Sequence, residues 1–180
     1  MKAKHLRSLK LGMYASGREY IVAARGIGHK TSAVEVLVRD LIFDKRKRWV
    51  SLVSIEDTAL GLDKPYTFES LVAAATAHGW SLCEQEVGLA LRITRTKNGR
   101  CERLSIASKP LVGTQGRYAL VVRRVLESVD RPGERFLGSA AAKGKCVMES
   151  SLTTIRLDDG DRLVQPGHTW VFTIGKPRTA

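Results

Sequence analysis

The chain has 180 residues, 43% of them hydrophobic, with 30 Lys and Arg against 18 Asp and Glu and a formal net charge of +12. That length suits one compact domain, and that hydrophobic share excludes a disordered polyelectrolyte. Three widely spaced cysteines exclude a disulfide framework, and no apolar run approaches the ~18 residues of a membrane helix.

The charge is uneven along the chain. Residues 1–30 carry net +6, residues 31–90 net −3 and residues 91–180 net +9. A basic balance of this kind favours a phosphate-rich or otherwise acidic partner. The first residues are basic, with no apolar signal core behind them, so the expected setting is the reducing cytoplasm of a bacterial-type cell, with no membrane contact. Aromatics are only 6%, so the core must rest on Val, Leu, Ile and Ala.

Residues 1–15 lack a clean period and read as a short helix or a basic arm. Residues 19–24 are apolar and short, and periodicity leaves strand and helix both open. After a loop at Arg25-Gly26-Ile27-Gly28-His29-Lys30, Ser32 and Glu35 have the spacing of a capping box, with Val34, Leu37, Val38 and Leu41 following at helical intervals. A charged turn, Asp44-Lys45-Arg46-Lys47-Arg48, precedes a buried strand over Trp49–Ile55. A second helix is expected over 67–78, with Thr67 as its cap, Tyr66 stapled to Leu71 and Gly79 at its end.

Lys97-Asn98-Gly99-Arg100 is the sharpest turn signal. Asn-Gly favours a two-residue type I′ turn, which predicts a hairpin between 91–96 and 101–107 with Ile93 opposite Leu104. Further strands are expected at Tyr118–Leu126, Leu152–Leu157 and Trp170–Ile174, with a long loop over 127–150. Helices first and strands after predict a single α+β domain over 1–180, a mainly antiparallel sheet with about two helices packed on one face.

Several chemistries can be weighed on this frame. Gly26-Ile27-Gly28-His29-Lys30-Thr31-Ser32 precedes a helix, and Glu56-Asp57 ends a strand, the parts of a nucleotide site. The phosphate-loop spacing fails, because Ala23 stands where the first Gly is needed and His29 separates Gly28 from Lys30. His5, His29, His78 and His168 are scattered and no Cys-x-x-Cys exists, so no metal and no cofactor are expected.

The segment linking the second helix to the hairpin concentrates Cys83, Glu86 and Arg92, a candidate pocket for a small enzyme, although no base stands near the thiol to activate it. Its bland alternative is structural: a core cysteine, a Glu–Arg pair, and a tight turn at Gly88. Leu82, Cys83, Glu86, Val87, Gly88, Leu91 and Arg92 resemble a pattern in a family of small uncharacterised bacterial proteins. The likeness covers about residues 48–110. That pattern has Pro where this chain has Glu84 and Leu89. The resemblance implies a fold unit and brings no activity with it.

On the expected sheet, Arg92, Arg103, Arg123 and Arg124 share a face, with Arg95, Lys97 and Arg100 at the hairpin tip. Such a face neutralises phosphates, while the shortage of stacking aromatics argues against base reading. The leading expectation is therefore a basic module that binds nucleic acid or another acidic partner. The alternatives are a small enzyme around Cys83, Glu86 and Arg92, and a homodimer formed through a sheet edge.

Overall fold

The computed structural model describes residues 3–29, 32–94, 102–113, 116–128, 146–157 and 163–174. Seven strands form one sheet: β1 (Lys4–Leu11), β2 (Arg48–Glu56), β3 (Trp80–Ser81), β4 (Glu102–Gly113), β5 (Gly116–Ser128), β6 (Cys146–Leu157) and β7 (Thr169–Ile174). The strand order is β1-β2-β7-β4-β5-β6, with β3 also paired to β7. All pairings are antiparallel except β4 with β7. The architecture is α+β with a mostly antiparallel sheet.

Four helices are described: α1 (Gly17–Gly26), α2 (Glu35–Val38), α3 (Phe68–Ala77) and α4 (Glu86–Ile93). They do not share one face. Strand pleating sends successive side chains to opposite sides. On one side Leu52, Leu104, Ile106, Leu120 and Val171 meet α1, α2 and α4. On the other, Val53, Ile55, Ala107, Trp170 and Phe172 meet α3. The expectation of two helices on one face is replaced by helices on both.

Helix α3 forms as its sequence predicts. The Thr67 hydroxyl accepts from the Ser70 N–H, and Gly79 adopts a left-handed φ of 74° just past the end. Tyr66 and Leu71 are both buried in the core beneath it. The Ser32 hydroxyl accepts from the Val34 N–H at 3.3 Å and the Glu35 carboxylate takes a hydrogen bond from the Ser32 backbone, the reciprocal pair that a capping box expects. The hydroxyl also donates to the Leu152 carbonyl at 2.6 Å, Glu35 also binds two arginines, and the helix that follows is a single turn. Residues 19–24 are helical, inside α1, whose N-cap is Ser16.

The expected hairpin is the largest departure. Residues 91–93 end α4, and β4 pairs with β5 and β7, with Leu104 opposite Val122. The Asn98-Gly99 turn itself lies outside the described residues. Gly88 serves no turn either: it is in mid-helix, where a Cβ would drive into the Leu120 side chain. Glycine here lets α4 lie directly on the sheet. Two more expectations change. Residues 4–11 are strand β1 rather than an arm, and β5 and β6 run into both ends of the expected 127–150 loop. Residues 129–145 lie outside the described residues.

Gly88→Ala should therefore destabilise through overpacking, by about 1–3 kcal/mol. Urea unfolding should show a lower midpoint at unchanged slope. A midpoint equal to wild type would mean that Leu120 moves aside without cost.

Candidate functional site

Helix α4 is enclosed almost completely, from Glu86 to Arg92. It carries two buried charged centres, one at each end. Burying a charge is costly unless it is paired and hydrogen-bonded. Both centres meet that condition.

At the N-terminal end, Glu86 is 0% exposed. One carboxylate oxygen accepts from the Gly12 N–H at 2.7 Å and from the Tyr20 hydroxyl. The other faces Arg48 at 3.3 Å, and Arg48 also binds Glu84. Burial, aided by the hydrogen bond to Glu86, pushes the Tyr20 phenol far above its ordinary value, so it stays protonated and donates. Tyr14 and Phe43 pack edge-on against the Tyr20 ring. The first turn of a helix also favours a carboxylate through the helix dipole.

At the C-terminal end, Arg92 is 2% exposed and its Nη1 donates to Glu35 at 2.8 Å. Arg25 binds the other Glu35 oxygen at 2.8 Å. Burial pushes the Glu35 carboxyl up, but the hydrogen bonds from Arg92 and Arg25 outweigh it and leave the group below its ordinary range. His29 Nε2 lies 3.0 Å from the Arg92 carbonyl oxygen.

Cys83 is free and buried ahead of α4. Its thiol points to the Val171 carbonyl at 3.4 Å, and burial pushes it well above the usual thiol range. Cys83, Glu86 and Arg92 are thus divided among three places. Six helical steps separate Glu86 from Arg92 by about 9 Å along the axis.

Asp57, weighed above as part of a nucleotide site, is equally engaged. It accepts from the N–H groups of Thr58, Gly167 and His168 and from the Tyr66 hydroxyl, which in turn accepts from Trp170 Nε1. This knot ties the end of β2 to the entry of β7. Burial pushes the neighbouring His168 imidazole down; the Asp57 carboxylate opposes that shift and Arg103 adds to it. Among the described residues, no group of three or more His, Cys, Asp or Glu is arranged to hold a metal ion.

The expected basic sheet face loses Arg92. Arg92 is in a helix, buried and paired, so it does not reach a phosphate. Arg95 and Lys97 lie outside the described residues. Arg103 is exposed on β4 and stands opposite Arg123 in the β4–β5 ladder. Arg124 is the next residue of β5, paired in the ladder with Glu102.

A different basic surface stands at the β1–β2 end of the sheet. Trp49, read from sequence as part of a buried strand, is 69% exposed. Its direct partner across the ladder is Lys10. Lys45, Arg46 and Lys47 are exposed immediately before it. The acids nearby are already engaged: Asp44 by Arg46 at 2.7 Å, and Glu84 and Glu86 by Arg48. Among the described residues, Lys10, Lys45 and Lys47 enter no ion pair. The signal for this surface was present in the sequence as a charge run ending in tryptophan, and it reads there as a solvated turn.

Among the described residues no helix is long and apolar enough to cross a membrane. No family model matches this sequence, and neither the curated proteins nor the solved structures offer a match to it.

Proposed function

We propose that the protein is a nucleic-acid-binding module that engages phosphates through the cationic end of its β1–β2 ladder. One observation carries the reading. Lys10, Lys45 and Lys47 stand at this end of the sheet, Asp44 is paired by Arg46, and Glu84 and Glu86 share Arg48, so the whole group keeps a positive balance. The net charge of +12 adds a long-range attraction for a polyanion. Arg103, exposed on β4 beside His168, stands toward the opposite end of β2 and is separate from this surface.

Binding of this kind releases counterions. The logarithm of the affinity should fall linearly with the logarithm of salt, with a slope of about 0.7–0.9 per phosphate contact. Fluorescence anisotropy with a labelled oligonucleotide measures it. Combining Lys10→Ala, Lys45→Ala and Lys47→Ala should flatten the slope by about two to three units. Arg103→Ala should cost one contact at most. No binding at low salt would end the reading, and equal losses from the triple variant and from three lysines or arginines placed elsewhere would reduce it to net charge.

A further inference from the structure

We infer that Trp49 is a stacking platform for an unpaired base, so that the partner is single-stranded nucleic acid. This rests on the nucleic-acid reading above and narrows it. The chain has three tryptophans, and the fold uses two of them. Trp170 is fully buried, with its indole N–H bonded to Tyr66. Trp80 is half-buried, packed against His78 and Phe172. Trp49 is on the same side of β2 as Val53 and Ile55, which α3 covers, but its own indole is 69% exposed. A tryptophan offers more apolar surface than any other side chain, and the fold gains little from one placed in water.

What surrounds the ring selects the partner. Lys10 is its direct cross-strand neighbour, and directly opposite strand positions lie close enough to act as one unit. Ser8 and Ser51 pair with each other beside them, and Lys47 is two residues before Trp49. An aromatic face bordered by lysines and hydroxyls matches a nucleotide, whose base stacks while its phosphate takes the cation. Ile174, across from Ser51 and 43% exposed, is an apolar neighbour on this side, but Lys10, Ser8 and Ser51 make the rest of the border polar, unlike the continuous apolar patch that a lipid surface takes. Duplex bases are stacked on one another and leave no face for Trp49, so the preference must be for a single strand.

The test compares a labelled single-stranded oligonucleotide with its duplex, by anisotropy and by quenching of tryptophan fluorescence. Wild type should bind the single strand at least about tenfold more tightly, the range that one stacked base supplies. Trp49→Ala should lose that advantage and most of the quenching, leave duplex affinity within about twofold, and keep the salt slope, because stacking is uncharged. Trp49→Phe should restore part of the advantage. The thermal midpoint of both variants should equal that of wild type, since the ring is in solvent. Equal binding of both forms, unmoved by Trp49→Ala, would overturn the stacking inference and leave the electrostatic reading standing. No binding of either form at low salt would overturn both. Trp49-dependent binding to anionic phosphatidylserine vesicles, with no strand preference, would also overturn it, in favour of a lipid surface.

Discussion

Glu86→Ala should lower stability by about 3–5 kcal/mol, the scale of breaking one side of a buried ion pair. The substitution strands the Gly12 N–H and the Tyr20 hydroxyl in a space closed to water and takes one of two carboxylates from the partly exposed Arg48. Each unsatisfied neutral donor costs about 1–3 kcal/mol by itself. Glu86→Gln should fall between wild type and Ala. Its amide oxygen still accepts from Gly12 and Tyr20, but its NH2 then faces the Arg48 donors. Chemical denaturation separates this reading from a catalytic one. A lock shows its loss in the unfolding midpoint, in the order Ala, then Gln, then wild type. A midpoint unchanged in Glu86→Gln would mean that the carboxylate charge has no holding role, and the pocket reading would regain ground.

That lock also explains what sequence reasoning could and could not see. Thr67, Phe68, Leu71 and Ala75 form α3 by local rules: a cap, an apolar stripe and a terminal glycine. Such signals reside in adjacent residues and can be read without the rest of the molecule. Strand β2 is legible for the same reason. Helix α4 breaks the rule because it is apolar nearly all round, Val87 through Leu91, with its charges paired inward. A helix buried on all sides shows no amphipathic period. Leu91 and Ile93 then mimic a strand, and the Asn98-Gly99 signal draws them into a hairpin. What decides against it is tertiary: the ladder positions beside β4 belong to β5 and β7.

Strand β1 was hidden differently. Leu9 and Leu11 alternate as a strand should, but the register shift between His5 and Arg7 interrupts the pattern upstream. The Trp49 surface was hidden by composition. Trp-Val-Ser-Leu-Val-Ser-Ile reads as one apolar run, and only the limited reach of α3 leaves its first residue in solvent. Sequence singled out Glu86 and Arg92, with Cys83, as candidate pocket residues. It placed them in one pocket because they are near each other in the chain, whereas a helix puts them at opposite ends and assigns each its own partners.

Arg92 gives the second large effect, and it reverses the role that sequence alone assigned. Arg92→Leu should destabilise by about 3–5 kcal/mol, because Glu35 is left buried with Arg25 as its remaining named cation. The double variant Arg92→Leu/Glu35→Leu should recover much of that loss, since removing both charges costs less than removing one. The pH dependence follows from the Glu35 carboxyl, which titrates below its ordinary value near 4.5 in the folded protein. A depressed folded pKa means that the stabilisation is complete above the ordinary carboxylate value and is lost as pH falls through the folded one. The gap between wild type and Arg92→Leu should therefore be widest at neutral pH and narrow as pH falls below the ordinary carboxylate value. The double variant should lack that acid-dependent component. Urea unfolding of the four proteins in the cycle, at pH 7 and at pH 3.5, measures each term. Nucleic-acid affinity belongs in the same experiment. At temperatures where the variants stay folded, Arg92→Leu should bind an oligonucleotide as wild type does, because its guanidinium is spent on Glu35 inside the fold. A loss of affinity with no loss of stability would return Arg92 to the surface, and a gap that widened in acid would mean that Glu35 is not the group whose charge Arg92 holds.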